Sequence, residues 1–174
     1  DPFSALSPIH TVFHHFQRPF IRFGVVSRED MFKEASRLLR LVELEPAEDF
    51  LKKYPHEMSG GECQRVCIAR ALIPGPKLII ADEPTSMLDV SIRKDILELF
   101  VKLKKDFQTS ILLITHDIAS ASICSDYILV LKDGSVIESG PSEKILSNPN
   151  NVYTKTLIDA SDGSWYKTNK ENVK

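Results

Sequence analysis

Two adjacent carboxylates, Asp82 and Glu83, follow the apolar run at 77–81 and precede a proline. The run is predicted to be a buried strand, and ligands of parallel sheets bind beyond the carboxyl ends of the strands. One carboxylate at such an end can hold Mg²⁺, which prefers oxygen ligands. The other can orient and deprotonate an attacking water. The alternative, for this pair alone, is two acids that solvate the end of a strand.

A second candidate for chemistry is the stretch Ser59, Gly60 and Gly61. Ser59 is a natural N-cap for the helix predicted to follow it. The two glycines lack side chains, so backbone N–H groups can approach an anion closely. The partial positive charge of a helix N-terminus adds to this effect, and the stretch is therefore a candidate phosphate site. The alternative is an ordinary capped helix with a flexible start.

The third candidate is His116, which follows the apolar run at 110–115. If that run is a strand of the same parallel sheet, its carboxyl end lies at the same edge as Asp82 and Glu83. A histidine there can donate a hydrogen bond to a γ-phosphate or polarise an attacking water. The alternative is a surface histidine that follows a strand.

The first part of the chain is predicted to consist mainly of helices. Residues 1–26 are rich in Phe, His and Pro and are predicted to be irregular. A helix is predicted to begin at Ser27, with Asp30 as its capping-box partner. A shorter helix is predicted to start with Pro46 as its first residue and to end at Pro55.

Strands and helices alternate in the part of the chain that carries the candidate residues. Apolar strands joined by helices predict a parallel sheet covered on both faces. Asp133 and Gly134 predict a hairpin turn at 132–135. The predicted elements are a helix at 59–73, a strand at 77–82, a helix at 91–105, strands at 110–115 and 126–131 with a helix between them, and a helix at 142–146. A loose polar tail is expected after Ala160.

Three parts follow from this pattern. Residues 1–58 are predicted to be a helical subdomain, 59–148 the α/β part, and 149–174 a C-terminal extension.

The composition excludes some classes of protein: 22 Lys and Arg against 24 Asp and Glu, a net charge of −2, give no electrostatic argument for a nucleic-acid partner. The apolar runs are too short to span a bilayer, so no direct membrane insertion is expected. The three cysteines suit a reducing compartment.

The order and spacing of these stretches resemble the ATP-binding subunit of ABC transporters. The sequence at 58–62, MSGGE, is similar to the signature motif of that family, and LIIADEP at 78–84 is similar to Walker B with its catalytic glutamate. SMLD at 86–89 is similar to the D-loop, and His116 to the switch histidine. The stretches DPFSALSP, YPHEMSGG and NPNNVYTKTL resemble the oligopeptide, dipeptide and nickel importer branch.

The resemblance implies a role for each matching residue. Asp82 would serve Mg²⁺, Glu83 would be the general base, and His116 would contact the γ-phosphate of ATP. Asp89 would couple two subunits. The signature residues Ser59, Gly60, Gly61 and Glu62 would face the ATP held by the opposite subunit, and Glu62, where glutamine is usual, would accept a hydrogen bond from a ribose hydroxyl.

The resemblance also implies the fold and the partners. The fold would be α/β: part of a P-loop NTPase (RecA-like) parallel sheet with helices on both faces, plus an α-helical subdomain. The cofactors would be ATP and Mg²⁺. The partners would be transmembrane permease subunits and a second ABC ATPase subunit, identical or different. The location would be peripheral, on the cytoplasmic face of the cell membrane.

A phosphate-binding Walker A loop requires the pattern G-x-x-x-x-G-K-[ST], which none of the seven glycines fits. The chain is therefore expected to be the C-terminal portion of an ATPase domain, and to be inactive alone. The first strand, the Walker A loop, its helix and the Q-loop glutamine are expected to precede residue 1. Two alternatives stay open: an inactive remnant that only pairs with partners, and a DNA-repair or chromosome ATPase. The latter class carries long coiled coils, and the sequence has no heptad run.

Overall fold

The computed structural model describes residues 2–161, which fall into two compact units divided between Leu112 and Leu113. The predicted boundaries after residues 58 and 148 follow element type instead, and they stay a prediction. The elements of the first unit are α1 (Pro2–Ala5), α2 (Val12–Phe23), α3 (Met31–Leu41), α4 (Ala47–Phe50), a 3₁₀ helix (Pro55–Glu57), α5 (Gly60–Leu72), β1 (Leu78–Asp82), α6 (Val90–Phe107) and the start of β2 (Ser110–Ile114). Those of the second unit are α7 (Ile118–Cys124), β3 (Tyr127–Lys132), β4 (Ser135–Pro141), α8 (Ser142–Ser147) and α9 (Val152–Ala160).

The prediction that residues 1–26 are irregular is wrong, because α1 and α2 lie there. Helix α2 begins after Thr11, whose hydroxyl accepts a hydrogen bond from the backbone N–H of His14 at 3.4 Å. It ends at Gly24, whose φ of 60° provides a left-handed C-cap. Phe16 and Phe20 are fully buried at helical spacing. Pro19 lies inside the helix, and a proline there argues against a helix when only the sequence is read.

The predicted helix starts in the rest of the helical part also need correction. The Ser27 hydroxyl and the Asp30 carboxylate do form their predicted pair, at 2.7 Å, but the pair closes the turn before α3, which begins at Met31. Pro46 is the N-cap of α4 and not its first residue. Pro55 opens the 3₁₀ helix instead of ending α4. The helix predicted at 59–73 is confirmed as α5.

Helices α2, α3 and α5 pack around a shared apolar core. Substitution of one such buried leucine by alanine typically costs about 2–5 kcal/mol. The core places the first turn of α5, at residues 59–62, on a rigid support. Its members with the least exposed surface include Phe16, Phe20, Ala35, Leu38, Leu39, Cys63, Val66 and Ala69.

The α/β class is confirmed, and β1 and β2 form a two-stranded sheet. The backbone N–H of Ser110 donates to the carbonyl of Lys77 at 2.9 Å, and the Thr109 hydroxyl donates to the carbonyl of Pro76 at 2.7 Å. The two strands therefore begin side by side and run in the same direction. Asp82 ends β1 and Glu83 follows it, and His116 lies shortly after the end of β2.

The two faces of β1 differ in burial among the described residues. Ile79 and Ala81 are buried, but Leu78 and Ile80 on the other face are 51% and 62% exposed. The alternation follows from the pleat of a strand, which sends successive side chains to opposite faces. Within the described residues, only one face of β1 is covered.

In the second unit, β3 pairs antiparallel with β4, and Lys132 lies opposite Ser135. The predicted hairpin turn is confirmed: Asp133 and Gly134 have φ values of 50° and 77°, as a type I′ turn requires. The prediction of β3 as a further parallel strand needs correction, because its partner among the described strands is the antiparallel β4.

Helix α9 was not predicted from the sequence. Its N-cap Asn151 accepts a hydrogen bond from the N–H of Tyr153 at 2.8 Å. The carboxylate of Glu138 on β4 accepts from the backbone N–H groups of Asn150 and Asn151 at 2.7 and 3.1 Å. These bonds tie the segment before α9 to the hairpin. The loose tail predicted after Ala160 falls almost entirely outside the described residues.

Candidate functional site

The candidate site of the first unit begins at the carboxyl end of β1. Asp82 is the last residue of the strand and is exposed, and Glu83 is half-buried. The backbone of Glu83 is left-handed, with a φ of 46°. A conformation of this kind costs a non-glycine residue on the order of 1–3 kcal/mol and persists only where the surroundings enforce it. Left-handed non-glycine residues of this kind cluster at functional sites. The sequence singled out Glu83 but did not indicate its left-handed backbone.

The segment Glu83–Asp89, which we call loop 83–89, folds back on itself. The Glu83 carbonyl accepts hydrogen bonds from the backbone N–H of Ser86 at 3.3 Å and from the Ser86 hydroxyl at 3.0 Å. The Leu88 N–H donates to the carbonyl of Thr85 at 3.2 Å, and Thr85 is 4% exposed. The loop is therefore held by local bonds, which can enforce the backbone conformation of Glu83.

Asp89 ends loop 83–89 and is the N-cap residue of α6. Its backbone is extended, as in most N-caps, but its carboxylate makes no capping hydrogen bond. Asp, Ser and Thr at this position usually cap the helix with their side chains. The exposed carboxylate of Asp89 is thus not used by its own helix.

The first turn of α5 is closed by a reciprocal capping box. The Ser59 hydroxyl accepts from the backbone N–H of Glu62 at 3.3 Å, and the Glu62 carboxylate accepts from the backbone N–H of Ser59 at 2.6 Å. We call residues Ser59–Glu62 the cap segment. The sequence pattern S-x-x-E predicts this box, although our sequence analysis recognised only the Ser59 half of it. The box gives Glu62, which stands where glutamine is usual, a structural role.

Arg65, one turn further along α5, was also missed by the sequence analysis. Its guanidinium donates to the carbonyl of Val42 at 2.8 Å and to the carboxylate of Glu43 at 3.0 Å, and Lys102 on α6 lies 3.4 Å from the same carboxylate. Partial burial opposes ionisation of Glu43, but the bonds from Arg65 and Lys102 hold its pKa below the ordinary value. These contacts fix α5 against the end of α3 and against α6.

A small cavity of about 190 Å³ lies beside Asp82, lined by residues of β1 and α5. Asp82 and Gln64 provide polar atoms at its wall, and Ile80 and Cys67 provide apolar surface. Among the described residues, no group of three or more His, Cys, Asp or Glu side chains is arranged to hold a metal ion. A single exposed carboxylate such as Asp82 still fits Mg²⁺, because that ion keeps several waters and takes other oxygens from substrate phosphates.

His116 belongs to the second unit, where it follows β2 directly and is exposed. The adjacent Asp117 begins the turn into α7. Its N–H donates to the Thr115 hydroxyl at 3.1 Å, and its carboxylate accepts from the Ser120 hydroxyl at 2.6 Å. The first unit thus contains two of the three predicted stretches, loop 83–89 and the cap segment, and the second unit contains the third.

Comparison with known proteins agrees with the resemblance seen in the sequence. Residues 3–86 match the ABC transporter family. The chain is 40% identical over 160 residues to the glutathione import ATP-binding protein GsiA of Pectobacterium atrosepticum, covering 92% of this chain and 25% of that protein. It is 39% identical over 172 residues to the oligopeptide transport ATP-binding protein AppD of Bacillus subtilis, covering 97% of this chain and 52% of that protein. The chain thus spans about a quarter to a half of the length of the curated relatives it matches.

Solved structures give the same assignment. The ATP-binding cassette MJ0796, in a dimeric post-hydrolysis state bound to ADP and Pi, superposes with a TM-score of 0.67 at 37% identity, over 79% of this chain and 59% of that one. A second dimeric structure of MJ0796 gives a TM-score of 0.66 at 35% identity, with the same coverage. The chain therefore belongs to the ABC transporter family of ATP-binding proteins. In the part of the chain that the structure describes, no helix is both long and apolar enough to cross a membrane.

Proposed function

We propose that this chain is part of the ATP-binding and ATP-hydrolysing subunit of an ABC transporter that imports oligopeptides or dipeptides. One observation carries the hydrolytic part of the proposal. Glu83 is held in a left-handed conformation at the carboxyl end of a parallel strand, directly after an exposed carboxylate. The peptide substrate rests on the relatives, which are named as peptide and glutathione transport proteins.

Each carboxylate of the pair has its own role in the proposed reaction. Asp82 holds Mg²⁺, directly or through water, and the ion supplies charge stabilisation to the phosphates of ATP. Glu83 orients the attacking water and accepts its proton at a carboxylate oxygen. His116 donates a hydrogen bond to the γ-phosphate, where negative charge develops. The left-handed backbone at Glu83 turns the chain directly after Asp82, which is consistent with different roles for the two carboxylates.

The cap segment receives the phosphates of an ATP held by a second subunit. Gly60 and Gly61 place no side chains of their own over the backbone N–H groups at the N-terminus of α5, where the helix dipole favours an anion. Glu62 accepts from the Ser59 N–H, and the proposed contact of Glu62 with a ribose hydroxyl uses the remaining acceptor capacity of its carboxylate. Asp89 couples the two subunits. The dimeric solved structures of MJ0796 support an arrangement of paired subunits.

The whole protein that carries this chain then lies on the cytoplasmic face of the cell membrane, bound to transmembrane permease subunits. Closure of the paired ATPase subunits on ATP drives the permease. The names of the relatives as import and transport ATP-binding proteins support this assembly. Residues 1–174 by themselves bind Mg-ATP weakly and hydrolyse almost none, because their glycines do not form the phosphate-binding pattern.

Phosphate release by the whole protein tests the proposal. We expect Mg²⁺-dependent release of phosphate from ATP, and at least a tenfold loss of turnover in Asp82→Asn at limiting Mg²⁺, since an amide is a poorer ligand for that ion. Asp159→Asn, which changes an exposed acid on α9, is the matched control and should match the parent. A whole protein that folds and releases no phosphate contradicts the proposed function.

A further inference from the structure

Three imidazole side chains meet where the chain enters α2. The His10 ring stacks on the His14 ring, with the two centroids 3.9 Å apart and the planes at 21° to each other. The His15 ring stands edge-on to both, at centroid distances of 6.2 and 6.4 Å. We call these three residues the histidine cluster. None of them has a part in the proposed hydrolysis of ATP.

His15 holds segment 6–11, which joins α1 to α2, against the helix. Its Nε2 atom lies 3.1 Å from the carbonyl oxygen of Ser7, and the side chain belongs to a residue that is 9% exposed. Because a carbonyl only accepts, Nε2 carries a hydrogen and donates it. The backbone N–H of His10 donates to the same carbonyl at 3.3 Å. Two of the three histidines therefore fasten one carbonyl of this segment.

The charged side chains that lie around His15 on α2 and α5 are basic. Arg18 and Arg22 of α2 and Arg70 of α5 line a cavity of about 950 Å³ together with His15. Arg70 also donates through Nη1 to the carbonyl of Ala5 in α1, at 2.9 Å. The described residues that line this cavity include no carboxylate. A proton that binds to His15 therefore meets positive charge and no acidic partner there.

The other neighbours of α2 bring no acidic partner to the histidine cluster within the described part of the chain. Helix α3 contacts α2 through Phe32, whose ring lies edge-on to that of Phe13 at 5.2 Å. Glu34, two residues along α3, is paired with Arg37. The segment before the 3₁₀ helix meets α2 through its backbone, where the carbonyl of Lys53 accepts from the first N–H of the helix at 2.9 Å. The N-terminus of α2 itself adds a partial positive charge.

We propose that the histidine cluster is an acid-sensitive clasp, which is closed while its rings are neutral and releases segment 6–11 when they are protonated. Neutral rings can stack, whereas two cationic rings at the same separation repel each other. Ser4, Ala5 and Ser7 form one wall of the cavity beside His15, so release of the segment also moves that wall and opens the cavity. The inference goes beyond the proposed function and does not depend on it.

Acid favours the open form of the clasp, because the open form binds protons more readily. Burial holds the pKa of His15 below its ordinary value, the charges of Arg70 and of the other two histidines add to this effect, and the bond to the Ser7 carbonyl opposes it. In the released segment the imidazole is in water and takes up a proton at its ordinary pKa of about 6.5. The clasp therefore has its full strength above a pH of about 6.5 and weakens as the pH falls toward the lower pKa of the closed form.

A simpler account gives the three rings only the task of filling space at the start of α2. Packing alone does not depend on the uptake of a proton. The two accounts therefore differ in the pH dependence of segment 6–11, and in whether a side chain that keeps the bond to Ser7 without titrating removes that dependence. Glutamine in place of His15 is such a side chain, because its amide donates a hydrogen bond and carries no charge.

Hydrogen exchange of the whole protein at pH values of about 7.5 and about 5.5, on either side of the ordinary imidazole pKa, tests the clasp. Each rate is divided by the intrinsic rate at the same pH to give a protection factor. We expect the His10 amide to lose at least about tenfold of its protection at the lower pH, a local opening, while the amides at 96–103 in α6 keep theirs. His15→Gln should keep the protection of that amide at both pH values. His56→Gln, which changes an exposed histidine outside the cluster, is the control and should respond as the parent does.

Three results overturn the clasp: equal protection of the His10 amide at the two pH values in the parent, an equal loss throughout α6, or a His15→Gln protein that loses as much protection as the parent. If His15→Gln does not fold, His10→Gln/His14→Gln decides the question. This variant keeps the bond of His15 to Ser7 but removes two of the charges that repel the protonated ring, so the acid-induced loss should shrink at least about threefold. A double variant with the full loss of the parent overturns the clasp as well.

Discussion

Two of the regions with left-handed backbone differ in how well the sequence predicts them. In the hairpin turn of the second unit, Asp133 and Gly134 have positive φ values, and an Asp-Gly pair is what such a turn prefers. In loop 83–89 of the first unit the left-handed residue is Glu83, a residue type that rarely adopts this conformation. Local preference is therefore enough to locate a turn, but not to locate a residue that its surroundings hold under strain.

The surroundings of the two regions explain the difference. A Cβ added to Gly134 would meet nothing within 4 Å, so the turn depends on its own residues. Loop 83–89 is held by the bonds of Ser86 to the Glu83 carbonyl and of Arg93 to the Leu88 carbonyl. Strain that is maintained by neighbours is an indication of function, and the following predictions test this contrast.

The largest expected effect concerns the second unit. His116→Ala should reduce the ATP turnover of the whole protein by on the order of 10²–10³, because a positioned donor to the developing phosphate charge is lost. His56→Ala, which changes another exposed histidine, should leave turnover unchanged. Turnover of folded His116→Ala within twofold of the parent would make His116 a surface residue and leave the second unit without a part in the reaction.

Arg65→Ala should lower the free energy of unfolding by about 1–3 kcal/mol, because the Val42 carbonyl loses its donor at a mostly buried position. The Arg65 side chain is 13% exposed, whereas that of Arg37, paired with Glu34, is 52% exposed. Arg37→Ala, the matched control, should cost less than about 1 kcal/mol. Urea unfolding of both variants measures the difference, and equal losses would show that the anchor of α5 contributes no more than a surface ion pair.

Substitutions to and from glycine should have opposite effects on the free energy of unfolding in the two regions. Glu83→Gly should raise the free energy of unfolding by about 1 kcal/mol, since glycine adopts positive φ without the steric cost. Gly134→Ala should lower it by about 1 kcal/mol for the same reason. Thermal unfolding of residues 1–174 measures both, with Ser135→Ala as a control outside the positive-φ region. A loss of stability in Glu83→Gly would mean that Glu83 is not strained.

The sequence was sufficient for the features that depend on local patterns. The helix at 60–72, β1, β2 and the Asp-Gly turn all carry their own signals of capping, apolar runs or turn chemistry. Helix α2 was missed because Pro19 lies inside it, and it forms because Phe16 and Phe20 bury against the core. Tertiary packing overrides local propensity in such a case.

The contacts that assemble the candidate site could not be read from the sequence. Arg65 reaches Glu43, 22 positions away, and Ile92 fills the space above Gly61. Neither pair has a spacing that a helix or strand period would indicate. The motif residues were found because their types suit phosphate chemistry, whereas the residues that hold them are recognised only from the packed structure.

The smallest expected effect is a pH dependence in the second unit. The Thr154 hydroxyl and the backbone N–H groups of Asn150 and Asn151 hold the pKa of Glu138 below its usual value. The Thr154 hydroxyl is buried and lies near Glu138, although it forms no hydrogen bond of good geometry. The stabilisation is therefore present above a pH of about 4.5, the unfolded value, and is lost as the pH falls through the lower folded pKa. The difference in unfolding midpoint between the parent and Glu138→Gln should therefore shrink as the pH falls below about 4.5 and disappear below the folded pKa. A difference that stays constant as the pH is lowered to the onset of acid unfolding contradicts the assignment.

The role of Glu83 is the central claim, and Glu83→Gln in the whole protein tests it most directly. The amide can hold the attacking water but cannot take its proton, so phosphate release should fall by on the order of 10²–10⁴ while ATP remains bound. Bound nucleotide and released phosphate are measured on the same sample, with Glu143→Gln as the control. Retained ATP with almost no phosphate release is the predicted result. Turnover within twofold of the parent would contradict the account.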